Sequence, residues 1–162
     1  MTYNKDLSIV ISLFNEEESL PELISWIEQV MTREGYSYEI IMVDDGSTDK
    51  SWPIIKELSA ANPAIRGISF RRNYGKSAAL YCGFDAAKGD VVITMDADLQ
   101  DPPELIPELI KYWEEGYDDV YAKRKTRDGE TFLKKITSKM YYKILQKLTK
   151  VEIQKDTGDF RL

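Results

Sequence analysis

Residues 91–95, VVITM, are all apolar or β-branched, and the chain turns acidic directly afterwards at Asp96, Asp98 and Asp101, with Gln100 between them. A run without polar alternation belongs at the centre of a parallel sheet covered on both faces. Pro102 and Pro103 then end the extended segment and open a helix. Open α/β sheets bind ligands outside the carboxyl ends of their strands, so these carboxylates stand where a site is expected. Asp96 and Asp98 are two residues apart, which in extended chain places them on one side. Together they offer hard oxygen ligands of the kind Mg²⁺ or Mn²⁺ takes. Fourteen aspartates in 162 residues produce about one Asp-x-Asp pair by chance, so it is the position at a strand end that gives this pair its meaning.

Earlier runs repeat the arrangement. Residues 7–13, LSIVISL, read as a first buried strand followed by Phe14, Asn15 and three glutamates. Ser19 and Glu22 have the spacing of a capping box, and Leu20, Leu23, Ile24, Ile27, Val30 and Met31 recur at helical spacing until Gly35. Residues 38–43 form a second strand that breaks into Asp44, Asp45, Gly46, Ser47, Thr48 and Asp49, and a helix over about 50–60 packs through Trp52, Ile55 and Leu58. Residues 65–70 form a third strand before Arg71, Arg72, Asn73, Tyr74, Gly75 and Lys76; an alanine-rich helix then runs to about 87. Gly75 and Lys76 therefore lie at a helix N-terminus, where backbone N–H groups favour anions. Leu105, Ile106, Leu109, Ile110 and Trp113 mark a further helix, and 119–122 a short strand. The alternation predicts one α/β domain over 1–162, Rossmann-like, with a mainly parallel central sheet covered by helices. Phe70 stands where a triphosphate-binding loop needs glycine, and no G-x-G-x-x-G occurs, so neither nucleotide fingerprint is present.

Composition narrows the chemistry. The chain has no histidine and a single cysteine, Cys82, which removes imidazole catalysis, the usual zinc sites and an internal disulfide. Acids, bases and metal ligands must come mainly from carboxylates. Apolar runs are strand-sized and the first ten residues lack signal-peptide character, so a cytoplasmic setting is expected. The net charge of −6 hides an asymmetry: between 123 and 150 ten Lys or Arg face only Asp128 and Glu130, a balance of +8, while the remaining 12 basic and 26 acidic residues balance at −14. Within that segment residues 131–149 have helical periodicity, with Phe132, Leu133, Ile136, Met140, Ile144, Leu145 and Leu148 on one side and lysines on the others. Such a helix suits an anionic membrane surface, and equally the solvated face of a packed helix. One basic stripe that lacks interleaved aromatic stacking on a recognised module argues against nucleic acid.

Five motifs in order, FNEEESL, VDDGSTD, RRNYGKSAAL, DADLQDPPE and the terminal DTGDFRL, resemble the family 2 glycosyltransferases of the GT-A fold, the nucleotide-diphospho-sugar transferases. More narrowly they resemble the polyprenyl-phosphate glycosyltransferases: the dolichol-phosphate mannose synthase group and its bacterial undecaprenyl-phosphate relatives. The resemblance covers almost the whole chain. It implies metal-dependent, inverting transfer of a hexose from a UDP- or GDP-sugar to a lipid phosphate at the cytoplasmic face of a membrane, through the basic segment or a C-terminal region that follows. On this reading Asp45 contacts the nucleotide base, with Leu13, Asn15 and Glu16 lining the same pocket. Arg72 and Lys76 add positive charge near the nucleotide or its phosphates. Asp96, Asp98 and Gln100 hold Mg²⁺ or Mn²⁺. Arg124 and Arg127 meet the leaving group and acceptor phosphate, where guanidinium suits bidentate binding. Asp156 and Asp159 belong to an acceptor-side acidic motif, and the catalytic set is Asp98, Arg124, Arg127, Asp156 and Asp159.

The family pattern continues past DTGDFRL, so the chain is expected to be truncated at its C-terminus. Transfer to a polysaccharide or soluble hydroxyl, which needs a definite carboxylate base, stays open beside the lipid-phosphate reading. So does a non-catalytic nucleotide-sugar-binding fragment. The sequence is compatible with a homo-oligomer and does not choose among nucleotide sugars.

Overall fold

A computed structural model of the chain, in which residues 6–123 and 157–162 are described, has the expected alternation. The elements in order are β1 (Asp6–Leu13), α1 (Leu20–Glu34), β2 (Ser37–Asp44), α2 (Ser51–Ala61), β3 (Ile65–Ser69), α3 (Lys76–Ala86) and β4 (Val91–Asp96). A 3₁₀ turn (Pro103–Leu105), α4 (Ile106–Glu114), β5 (Tyr121–Lys123) and β6 (Thr157–Arg161) follow. The strands form one six-stranded sheet in the order β3-β2-β1-β4-β6-β5. The first four are parallel, and β6 runs antiparallel to both β4 and β5. This is the mainly parallel, helix-covered α/β sheet that the sequence predicts, with β6 and β5 added as an antiparallel pair beside β4.

Period-two alternation divides the core. Leu7, Ile9, Ile11 and Leu13 of β1 face a large cluster with Leu23, Ile24 and Ile27 of α1, Ile55 of α2, Ile106 and Ile110 of α4 and Phe160 of β6. Val10 faces the other way and packs with Ile41, Val43 and Ala79 under α3. Cys82 packs beside this second cluster, half-buried, as a small apolar side chain would. The fit of α3 on the sheet depends on Gly83, where any Cβ would overlap the Val10 side chain. Fully burying a Leu or Ile contributes about 1.5–3 kcal/mol, so the large cluster dominates stability and α3 sits on the thinner of the two layers.

One local expectation fails. Ser19 and Glu22 do not form a capping box: Ser19 is already helical at φ −86 and ψ −27, with no capping hydrogen bond from its side chain. Its hydroxyl donates instead to the carbonyl and carboxylate of Glu16. Pro21 in the first turn has no N–H to satisfy, which lowers the demand for a cap. Gly35 ends α1 as expected, at φ 72 in the left-handed region. β5 begins at Tyr121 and includes Lys123, displaced from the expected 119–122. The basic stretch 131–149 lies outside the described residues. Among the described residues no helix is long and apolar enough to cross a membrane.

Candidate functional site

Three strand ends and the start of α3 enclose a cleft of about 360 Å³. Its walls include Ser12, Leu13 and Phe14 from the end of β1, Asp45 after β2, Asn73, Gly75 and Lys76 at the head of α3, and Asp96 and Asp98 after β4. The register explains the convergence: Ser12 pairs with both Val43 of β2 and Asp96 of β4, so the three strands end level. The cleft lies at the carboxyl edge, between β1 and its neighbours on either side, where strand order reverses direction.

Asp45 organises one wall. It is 4% exposed, and its two oxygens accept the backbone N–H groups of Tyr74 at 2.7 Å and Gly75 at 2.9 Å. Its own N–H donates to the Leu13 carbonyl at 2.9 Å, which joins the β1 end to the same wall. The preceding Asp44 turns inward, accepting Ser47 N–H at 2.9 Å and the Ser69 hydroxyl at 3.1 Å. Gly46, at φ 76, lets the 71–73 loop lie against this turn, since a Cβ there would stand 2.5 Å from the Arg72 carbonyl carbon.

Asn15 and Glu16 act partly as braces between two turns. Asn15 adopts a positive φ of 57, gives its N–H to the Ser47 hydroxyl at 2.9 Å and accepts Thr48 N–H at 2.8 Å. Glu16 N–H donates to the Ser51 hydroxyl at 2.9 Å, and Glu17 N–H to Asp49 at 3.1 Å. Burial pushes the Asp49 carboxyl up, but hydrogen bonds from the Ser51 hydroxyl and from backbone N–H groups, including those of Ser51 and Glu17, outweigh it and hold the group below its ordinary value. Asn15, Glu16, Asp49 and Asp98 line a second, acidic recess beside the first.

The acidic strand end is ordered by its own chain. Asp101, almost fully buried, accepts the Asp96 N–H at 3.2 Å, and Asp98 accepts the Gln100 N–H at 3.1 Å across Leu99, which has φ 61. Lys76 Nζ meets Asp96 Oδ1 at 2.5 Å. Gln100 is exposed and Asp98, also exposed, opens to both recesses. Among the described residues no three His, Cys, Asp or Glu side chains gather as a ready-made metal cluster.

The structure thus brings Leu13, Glu16, Asp45, Lys76, Asp96 and Asp98 to one cleft. Asn15 lies in the adjoining recess, whereas Gln100 lines neither. Arg72 is exposed away from the cleft wall, its guanidinium carbon 4.9 Å from the Tyr74 ring centroid. Arg124, Arg127 and Asp156 lie outside the described residues. Asp159 belongs to β6, and at that position only the backbone is described. The antiparallel pairing of Arg161 with Thr94 directs the start of that strand toward the Asp96 end of β4. Asn73 lines the cleft as part of the 71–76 loop, whereas Ser12, Phe14 and Ala79 were not expected there; the first two are the alternate side chains at a strand end already marked by its neighbours.

The profile of glycosyl transferase family 2 matches residues 8–162. The chain is 48% identical over 157 residues to an uncharacterized glycosyltransferase of Synechocystis sp., covering 97% of this chain and 49% of that protein. It is 42% identical over 156 residues to a bactoprenol glucosyl transferase of Shigella phage SfV, covering 96% of this chain and 51% of that protein. The chain spans about half the length of the curated relatives it matches. A mannosyltransferase from Pyrobaculum calidifontis, solved in complex with GDP-Man and Mn²⁺, aligns with a TM-score of 0.62 at 22% identity, over 76% of this chain and 37% of that one. At that identity the likeness is one of fold.

Proposed function

The chain belongs to glycosyl transferase family 2, and from that premise we propose that it carries the donor-binding half of a transferase moving a hexose from a nucleotide-diphosphate sugar to a polyprenyl phosphate. The observation that carries this reading is the single cleft onto which Asp45, Lys76, Asp96 and Asp98 converge at the carboxyl edge of the sheet. The names of relatives such as the phage bactoprenol glucosyl transferase support the lipid acceptor.

The residues fit a divalent cation. Asp96 and Asp98 supply two hard carboxylates, and the Lys76 ammonium already resting on Asp96 is a cationic stand-in at that oxygen. A site of one or two carboxylates, completed by substrate phosphates, is how Mg²⁺-type ions are commonly held. When bound, the cation would neutralise charge developing on the leaving diphosphate.

The chain's own groups supply the rest. Asp45 fixes the loop that forms the nucleotide side of the cleft, and Leu13 and Phe14 give that wall apolar surface. Lys76 adds a point charge within the same cleft, where a preorganised cation stabilises a phosphate leaving group. Arg124 and Arg127 are assigned to the leaving group and acceptor phosphate, and Asp156 and Asp159 to acceptor orientation. An acceptor phosphate is already ionised near neutral pH, so alignment and charge balance replace a strong general base. A chain without histidine suits that chemistry. Attack opposite the leaving group inverts the anomeric centre.

The direct test is thermal stability with UDP-glucose, GDP-mannose and other nucleotide sugars, with and without Mn²⁺. A cognate donor stabilises the folded state by mass action, about 2.7 kcal/mol at a hundred times its Kd. A chain whose melting is unmoved by every donor in Mn²⁺ would sink the proposal. Transfer to undecaprenyl phosphate rather than a sugar hydroxyl, assayed in the protein extended to the length of its relatives, checks the acceptor.

A further inference from the structure

At the floor of the cleft a carboxylate has two suitors. Lys76 Nζ holds Asp96 Oδ1 at 2.5 Å, with the two side chains 43% and 25% exposed. On the opposite strand Ser12, the register partner of Asp96, is 7% exposed and its buried hydroxyl oxygen has no hydrogen-bond partner. A buried hydroxyl without a partner carries a desolvation cost that one good acceptor would remove. Register sets the Asp96 carboxylate level with Ser12 on the adjacent strand, and its Oδ1 is engaged by an ammonium that comes from a different element, the first turn of α3.

An ammonium and a divalent cation compete for the same oxygen. Lysine presents only donors and a positive charge, and like charges a few ångströms apart repel. An ion pair this exposed is also weak enough to exchange, because solvent screens it and two side chains must be held to keep it. The lysine stem reaches from the head of α3, beside Gly75, so a short swing keeps Nζ inside the cleft.

Resting on the cation and donor reading above, we infer that Lys76 is an exchangeable counter-cation. A divalent cation arriving at Asp96 and Asp98 displaces its ammonium, which passes to the diphosphate of the donor, while the Ser12 hydroxyl donates to the carboxylate that Lys76 has left. The exchange makes cation and donor binding mutually reinforcing: each relieves the repulsion or vacancy that the other creates, and the coupling is reciprocal. Lys76 and Ser12 are then positioning residues for the cation as well as parts of the cleft wall.

Amine footprinting tests this on the 162-residue chain. The protein is pulsed with acetic anhydride in the metal-free state, with Mn²⁺, and with Mn²⁺ plus UDP, and modification is read by mass spectrometry. Mn²⁺ alone is expected to raise Lys76 labelling about two- to fivefold, the equilibrium worth of an exposed pair, with Lys50, Lys56 and Lys111 unchanged. Adding UDP lowers it again as the ammonium engages the diphosphate. Mn²⁺ binding seen by electron paramagnetic resonance with Lys76 labelling unchanged overturns the exchange and leaves the cation assignment standing. No Mn²⁺ binding with or without UDP overturns both. Two variants separate exchange from simple charge. Lys76→Met should raise affinity for Mn²⁺ alone and shrink the gain that UDP brings; an equal rise with and without UDP refutes the transfer of the ammonium. Ser12→Ala should weaken Mn²⁺ binding about fivefold, the loss of one hydrogen bond, with metal-free Lys76 labelling unaltered; unchanged Mn²⁺ affinity removes Ser12 from the exchange.

Discussion

The carboxylate of Asp45 accepts the backbone N–H of Gly75 at 2.9 Å, through the oxygen that the neighbouring Tyr74 N–H does not use. Two consequences meet there. The donors at the head of α3 are already turned toward a negative charge belonging to the protein, and the loop that walls the cleft is tied to the end of β2.

Replacing Asp45 by Ala should therefore release two backbone donors at a nearly buried position. The expected loss is about 1.5–3 kcal/mol of unfolding free energy, the range for hydrogen bonds to a charged group, with faster amide exchange at Tyr74 and Gly75. Asp45→Asn should lose part of this, because its amide nitrogen faces a donor. Urea melts and hydrogen exchange check both; wild-type protection at the two amides in Asp45→Ala would refute the anchoring role.

Asp98 is exposed and accepts the nearby Gln100 N–H. Asp98→Asn should stay within about 0.5 kcal/mol of wild-type stability, as surface changes usually do. The same variant should lose the part of the nucleotide-sugar thermal shift that depends on Mn²⁺. Retention of that part would place the cation elsewhere.

Gly83 supports α3 by what it lacks. A valine there would meet the Val10 side chain, and overpacking of this kind costs about 1–3 kcal/mol. Chemical denaturation should show the loss, and because α3 carries Lys76 the donor-dependent thermal shift should fall with it. A Gly83→Val protein as stable as wild type would mean that α3 sits farther from β1 than described.

The pH dependence of stability should carry the signature of Asp49. Its folded-state value lies below the ordinary 3.8, so the unfolded chain takes up its proton first as pH falls. The stabilisation is fully present above 3.8 and disappears as pH drops through the lowered folded value. Stability differences between wild type and Asp49→Asn, measured by urea melts from neutral pH down to about pH 3, should be constant at first and then converge. A gap that widens on acidification would reverse the sign.

Much of this architecture was legible because its signals are short-range. The uninterrupted run at 91–95 and the helical spacing from Leu20 to Met31 each predict an element and its buried face, and the structure places them accordingly. The place of the cleft follows, since the strand ends of a parallel sheet meet at one edge. What escaped is what depends on register and side-chain choice. Ser12 gave no signal, because its importance lies in standing opposite Asp96. The Ser19 and Glu22 spacing misled, because a cap is decided by backbone angles and by competing acceptors such as Glu16. The resting place of Arg72 over the Tyr74 ring was likewise not legible, because charge alone does not disclose a preference for an aromatic face.

The sheet is also unevenly stitched. Eight register pairs join β1 to β2 and six join β1 to β4, whereas among the described residues a single pair, Thr94 with Arg161, joins β4 to β6. Local opening starts where pairing is thinnest, so the β4–β6 seam is its expected place, with Phe160 of β6, buried in the large cluster, as the side chain that resists it. Every wall residue of the cleft comes from β1 through the turn after β4, so an opening at that seam leaves the walls themselves in place.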